Sequence, residues 1–243
     1  MTDHTETFHL LRTDLSISRQ NEMFELLARH FDGVTRAQFE ADLAEKNWVI
    51  LLLRNSRLVG FSTLLAYETR FQDEPLSVIY SGDTIVAPEA GNSPALARAW
   101  IACVRDLRKN YPQGRYYWLL LTSGFRTYRF LPLFWREFYP RFDAPIPGQQ
   151  KEILDFLARE RFGTQYDSAG GIVRFAHAQK LRDRRNLIPL KAADPNITFF
   201  FKQNPGHVTG EELVCLTELS DANLTPAGHR MVEVRHEHTA GHC

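Results

Sequence analysis

The chain has 243 residues, 44% of them hydrophobic and 24% charged, with Lys+Arg and Asp+Glu both at 29 and a formal net charge of zero. That content supports one sizeable core, alone or with a small lobe, and excludes wholesale disorder and a wholly electrostatic nucleic-acid binder. Apolar runs are too short to span a bilayer, residues 1–7 are polar and acidic rather than signal-like, and three cysteines make no disulfide framework, so the expectation is a soluble cytoplasmic protein with no membrane contact.

Hydrophobic periodicity predicts a strand over 8–12 and a helix over 18–31 with Ser18 as cap and Met23, Leu26, Leu27 and Phe31 on one face. A second helix over 35–46 is capped by Thr35 and buries Phe39 and Leu43. Strands over 48–54 and 58–69 meet in a tight hairpin at Asn55-Ser56, and a third strand over 77–86 stops at Pro88. A helix over 94–109 takes Ser93 as cap and Pro94 as first residue. A strand over 116–121 and helices over 128–139 and 153–161 follow. The C-terminal third, broken by prolines, reads as strands over 171–176, 198–202 and 213–219. Residues 1–47 are acid-rich, whereas 105–141 and 174–191 are basic and suit either a solvated face or a surface that meets phosphate.

The order strand, two helices, three-stranded meander, loop, helix, strand, helix resembles the GNAT superfamily of N-acyltransferases. NWVILLLRNSRLVGFSTLLAYETRF looks like the family's second and third strands, and SVIYSGDTIVAPEAGNSPALARAWIACV like its fourth strand, pyrophosphate loop and central helix. YYWLLLTSG looks like the fifth strand and LPLFWREFYPRF like the helix after it. The resemblance, best over 48–139, implies an α/β (α+β) fold: a mixed, mostly antiparallel central sheet flanked by helices. A GNAT-like domain would span 1–145, and 146–243 would complete the sheet or form a small second lobe.

The resemblance further implies transfer of an acyl group from a thioester, acetyl-CoA or another acyl-CoA, to a small-molecule amine, with no metal. Backbone N–H groups at Ile85 and Val86 would hold the acyl carbonyl and pantetheine arm. Gly91, Asn92 and Ser93 would hold the phosphates at a helix start, where unpaired N–H groups and the dipole favour an anion. Thr122 joins them from the facing strand. Asp83, beside Gly82 in an apolar strand, is the first candidate base because burial would raise its pKa, and Glu68 is the second. The family's proton-donating tyrosine position falls on Phe134 or Trp135, leaving Tyr128 or Tyr139 as substitutes. Arg126 and Arg129 could grip a substrate carboxylate or phosphate, or line a helix surface. Two alternatives stand beside this reading: the same scaffold with an aminoacyl-tRNA or acyl carrier protein as donor, and a non-catalytic ligand-binding protein. His236, His238, His242 and Cys243 read as a terminal tail rather than a zinc site, and Cys103 as a core residue.

Overall fold

The computed structural model of the chain describes residues 5–90, 94–182 and 194–233. After β1 (Thr5–Leu11), α1 (Ile17–His30) starts at Ser16, whose Oγ accepts the Arg19 N–H at 3.2 Å, two residues ahead of the expected cap. A short β2 (Phe31–Asp32) follows, and α2 (Arg36–Ala44) begins at Thr35, whose Oγ1 accepts the Gln38 N–H at 3.3 Å. Strands β3 (Trp48–Arg54), β4 (Arg57–Phe71) and β5 (Glu74–Val86) form the meander. Its turns, Asn55-Ser56 and Gln72-Asp73, both have two residues at positive φ, the turn geometry that matches strand twist. Next come α3 (Ala95–Leu107) and β6 (Arg115–Thr122), with Pro94 at the cap position of α3 rather than inside its first turn. Gly114, at φ +55°, leads into β6 where a Cβ would stand 1.6 Å from the Pro75 carbonyl oxygen. Only glycine lets β6 enter there beside β5.

The single helix expected over 128–139 is replaced by α4 (Phe125–Tyr128), α5 (Phe130–Phe134) and β7 (Phe138–Tyr139). Trp135 leaves the helix to bridge Leu224, and β7 pairs with the chain near Thr217, so strand pairing overrides helical periodicity. Beyond α6 (Gly148–Phe162) lie two-residue strands β8 (Tyr166–Asp167), β9 (Ile172–Val173) and β10 (Lys180–Leu181). The strand expected over 198–202 is a helix, α7 (Pro195–Gln203). Asp194 Oδ1 accepts the Asn196 N–H at 3.0 Å, Pro195 sits in the first turn, and Ile197 and Phe200 are buried at helical spacing. The chain then forms β11 (Glu212–Glu218) and α8 (Pro226–Glu233).

One sheet runs β1-β3-β4-β5-β6-β11-β9-β8, with β7 also paired to β11; β2 and β10 make a separate two-stranded ribbon. In the large sheet β5–β6 is the parallel pair and its other described pairings are antiparallel. β11 lies antiparallel to β6 from Leu213↔Thr122 to Glu218↔Tyr117, so the C-terminal part adds strands to the sheet that carries the meander. Leu154 and Leu157 of α6 pack on Val78, Tyr117, Leu119 and Leu216. The opposite face holds Trp100, Trp118 and Trp135 with centroids 4.2–6.0 Å apart. Cys103 is buried there, and burial pushes its thiol up to about 12, as expected of a core cysteine. Among the described residues no helix is long and apolar enough to cross a membrane.

Candidate functional site

β5 and β6 pair from Leu76↔Arg115 to Ser81↔Leu120 and then part. β5 stays with β4 as far as Gly60↔Val86, while β6 continues beside β11 to Leu213↔Thr122. A bulge begins the divergence: Ser62 faces Thr84 and Leu64 faces Ser81, leaving Gly82 and Asp83 opposite Thr63 alone. The last shared rung is pinned by Trp118, whose Nε1–H donates to Ser81 Oγ at 2.8 Å. The Ala87 N–H bonds Val59 O at 2.8 Å, so antiparallel alternation turns the Ile85 N–H toward β4 and the Thr84 and Val86 N–H groups toward the gap. Of the two backbone donors expected at the gap, Val86 faces it and Ile85 does not. Ile85 is buried, and Val86 stands 41% exposed at the lip.

The bulge puts half-buried Asp83 among charged groups from three elements. Lys46, 6% exposed just past α2, donates from Nζ to the Asp42 carbonyl at 3.0 Å. Its stem lies on Gly82: a Cβ there would meet Lys46 Cε at 2.5 Å and Thr63 Oγ1 at 2.6 Å. Lys46 Nζ and Arg161 Cζ lie 5.3 and 5.0 Å from the centroid of the buried Tyr80 ring. Arg161, near the end of α6, also pairs with Glu45, and its Nε is buried without a partner among the described residues. Glu212 opens β11 next to the Leu213↔Thr122 rung, on the β6 side of the gap. Burial raises Asp83 to about 6; the Lys46 charge opposes that rise and the Asp42 charge adds to it. Burial lifts Glu212 to about 8, helped by the Asp83 and Asp42 charges. The Lys46 ammonium is pulled down by burial and by Arg161, and held up in part by Asp83. Two carboxyl groups with separated proton affinities thus flank the gap, an arrangement suited to proton transfer near neutral pH.

A mixed, mostly antiparallel central sheet flanked by helices is the layout implied by the sequence resemblance. The fold is GNAT-like. No protein-family model matches the chain, and no curated protein matches it. Solved structures similar to it include a GCN5-related N-acetyltransferase from Kribbella flavida, at 15% identity and TM-score 0.40 over 53% of this chain and 32% of that one. A protein of unknown function from Enterococcus faecalis V583, described as a probable N-acyltransferase, aligns at 13% identity and TM-score 0.42 over 88% and 66%. An aminoglycoside N-acetyltransferase solved with CoA aligns at 15% and 0.39 over 53% and 84%. The chain therefore spans about a third of the length of the Kribbella flavida protein. Likeness at this level transfers no activity.

Within the GNAT-like frame the expected site residues separate. Asp83 stands at the gap. Glu68 is exposed on β4 opposite Ser77, well down the strand from Thr63, and is not brought to Asp83. Tyr128 is fully buried among Phe138, Phe199 and Phe200; its Oη–H donates to Pro140 O at 2.9 Å and burial raises its pKa, so it serves packing. Thr122 Oγ1 donates to Gly124 O at 2.9 Å and accepts the Gly124 N–H at 3.0 Å, closing the turn into α4. Arg129 pairs with Asp194 at 3.2 Å, and Arg126 is exposed. Gly91, Asn92, Ser93 and the histidine-rich tail lie outside the described residues. The basic run over 105–141 is largely paired: Arg105 to Asp221, Lys109 to Asp106, Arg115 to Glu218 and Arg141 to Asp143. The sequence reading missed Lys46, Arg161 and Glu212 as site residues. Gly82 beside Asp83 signalled the bulge, but no local pattern marks Glu212, which reaches the gap only through β11–β6 pairing.

Proposed function

We propose that this protein is an acyltransferase that moves an acyl group from an acyl-CoA thioester to a small-molecule amine, with Asp83 accepting the proton that the amine must lose. The observation that carries this reading is the splayed β5–β6 gap with Asp83 at its bulge. A bound thioester supplies the activated acyl carbon. The Val86 N–H is aimed where a carbonyl oxygen gaining charge can be stabilised. An amine arrives largely as ammonium at neutral pH, and the carboxylates of Asp42, Glu45 and Asp83 outnumber Lys46 and Arg161 around the gap. Asp83, about 6 when its neighbours are in place, is ionised at pH 7 and can take the ammonium proton. Glu212, at about 8, holds its proton at that pH and gives it to the departing thiolate, the role first expected of Tyr128. It is reprotonated by the second proton that the acylated nitrogen sheds. Among the described residues, the pairing of Arg105, Arg115, Arg129 and Arg141 with carboxylates supports a CoA thioester over an RNA- or carrier-borne donor that would dock on that part of the surface.

The test is thiol release from acetyl-CoA and longer acyl-CoAs across a panel of amines, with calorimetry of donor binding alongside. Asp83→Asn is expected to lower kcat/KM by roughly 10²–10⁴-fold at pH 7.5 while donor affinity changes little. Unchanged turnover removes Asp83 from the mechanism. Absence of acyl-CoA binding overturns the donor assignment.

A further inference from the structure

β11 meets the gap at Glu212 and ends at Glu218, roughly 20 Å away at about 3.3 Å per residue. At that far end a hollow of about 380 Å³ is lined by Arg136, Glu137, Tyr139, Gln150, Glu218 and Ser220. The volume suits a small molecule, yet this lining is polar where most such sites are apolar. Its wall is tightly wired. Asn223 Nδ2 reaches Glu137 O at 3.0 Å, Glu218 O at 2.9 Å and Thr217 Oγ1 at 3.1 Å, and Asn223 Oδ1 accepts the Glu137 N–H at 2.8 Å. Thr217 Oγ1–H donates to Glu137 O at 2.7 Å, and Arg136 Nε–H to Leu224 O at 2.8 Å. These bonds lock the approach to β7, the end of β11 and the turn after it together, so the lining side chains stand on a held backbone.

We propose that this hollow binds a neutral polyhydroxylated molecule of the saccharide class. The Arg136 guanidinium can only donate hydrogen bonds and the carboxylates of Glu137 and Glu218 can only accept them, whereas Tyr139, Gln150 and Ser220 do both. Arg115 bonds Glu218 through Oε2 alone, from Nε at 3.2 Å and Nη2 at 2.7 Å, which leaves Oε1 for a ligand. With Glu218 so paired, the Arg136 and Glu137 charges offset each other, and the hollow has no net pull on an anion or a cation. A hydroxyl donates and accepts at one atom, as water does, so a set of ring hydroxyls reproduces the bonds that water makes to such a lining. The Tyr139 ring and Ala222 meet the C–H groups between those hydroxyls. The inference rests on the hollow alone and stands without the acyltransferase reading.

The test is nitrogen-15 chemical-shift mapping of the full chain, titrated with sucrose into the tens of millimolar. The amides of residues 136–139 and 217–223 are expected to shift along a saturating curve. Glu137→Ala/Gln150→Ala removes one acceptor and one amide from the rim and should weaken binding by at least about tenfold, the scale of two lost hydrogen bonds. The spectrum itself shows whether that variant is folded; Ser220→Tyr, which fills the hollow from its exposed turn, is the second variant and should abolish binding. Inorganic phosphate and 1,4-diaminobutane, titrated alike, should leave these amides unsaturated. Shifts that grow linearly over the whole surface report sugar excluded from the protein, not a site, and overturn the proposal. Equal affinity in wild type and both variants, or tighter binding of either charged probe at these amides, overturns it as well.

Discussion

A methyl group at position 82 would stand 2.5 Å from Lys46 Cε, so Gly82→Ala has to move the lysine from the bulge. The lysine carbon is the far end of a flexible chain, but the buried Thr63 Oγ1, 2.6 Å from the same methyl, must give as well, so thermal melting should first establish that the variant is folded. Asp83 would lose the charge that opposes its burial, and its pKa should climb above about 6. Carboxyl-resolved NMR titration of Asp83 reads this directly, and an unmoved titration would mean that Lys46 exerts no hold on it. In the wild type the pH dependence of kcat/KM follows from the same two carboxyl groups. Asp83 must be ionised to accept a proton, so activity should fall as pH drops through about 6. Glu212 must be protonated to donate one, so activity should fall again as pH rises through about 8. Glu212→Gln should keep the acid limb and abolish the alkaline one; a retained alkaline limb assigns that ionisation elsewhere. Burial raises the Asp83 pKa, so its ionisation works against folding: stability falls as pH rises from the ordinary carboxylate range to about 6, and the cost is fully present above that.

At the scale of elements, the parting of β5 from β6 depends on where their last rung is held. Trp118 Nε1–H and Ser81 Oγ form that pin inside the tryptophan cluster. Ser81→Ala leaves a buried indole N–H without a partner and should cost about 1–3 kcal/mol, measured by denaturant unfolding. Loss of less than about 0.5 kcal/mol would show that a water or another acceptor replaces the hydroxyl. Elements with strong local signals agree with the sequence reading: α2 carries its cap at Thr35, and the Asn55-Ser56 turn stands between two apolar strands. Disagreement falls where the signal was ambiguous. The apolar run Ile197–Phe201 fits a short strand or a helix equally well, and the Asp194-Pro195 start decides for the helix. The stretch 128–139 has helical spacing, but pairing of Phe138 and Tyr139 with β11 takes its second half into the sheet.

For the whole molecule, β11 decides what can stand alone. It covers the β6 edge and buries Leu213, Val214, Cys215 and Leu216 in the two core layers. A chain cut to residues 1–145 exposes that edge and both apolar faces beside it, so it should aggregate or show little cooperative unfolding by size-exclusion chromatography and circular dichroism. A monomeric, cooperatively unfolding fragment would show that the first 145 residues form an independent domain. Periodicity, caps and turn residues determined the helices around the meander, the meander itself and Asp83 beside its bulge-forming glycine, because each is encoded within a few neighbouring residues. Only the tertiary structure decided that Lys46, Arg161 and Glu212 surround Asp83 while Glu68 and Tyr128 do not. Those residues come from the end of α2, the end of α6 and the start of β11. Their meeting depends on strand order and helix packing, which act over distances in sequence that no local pattern records.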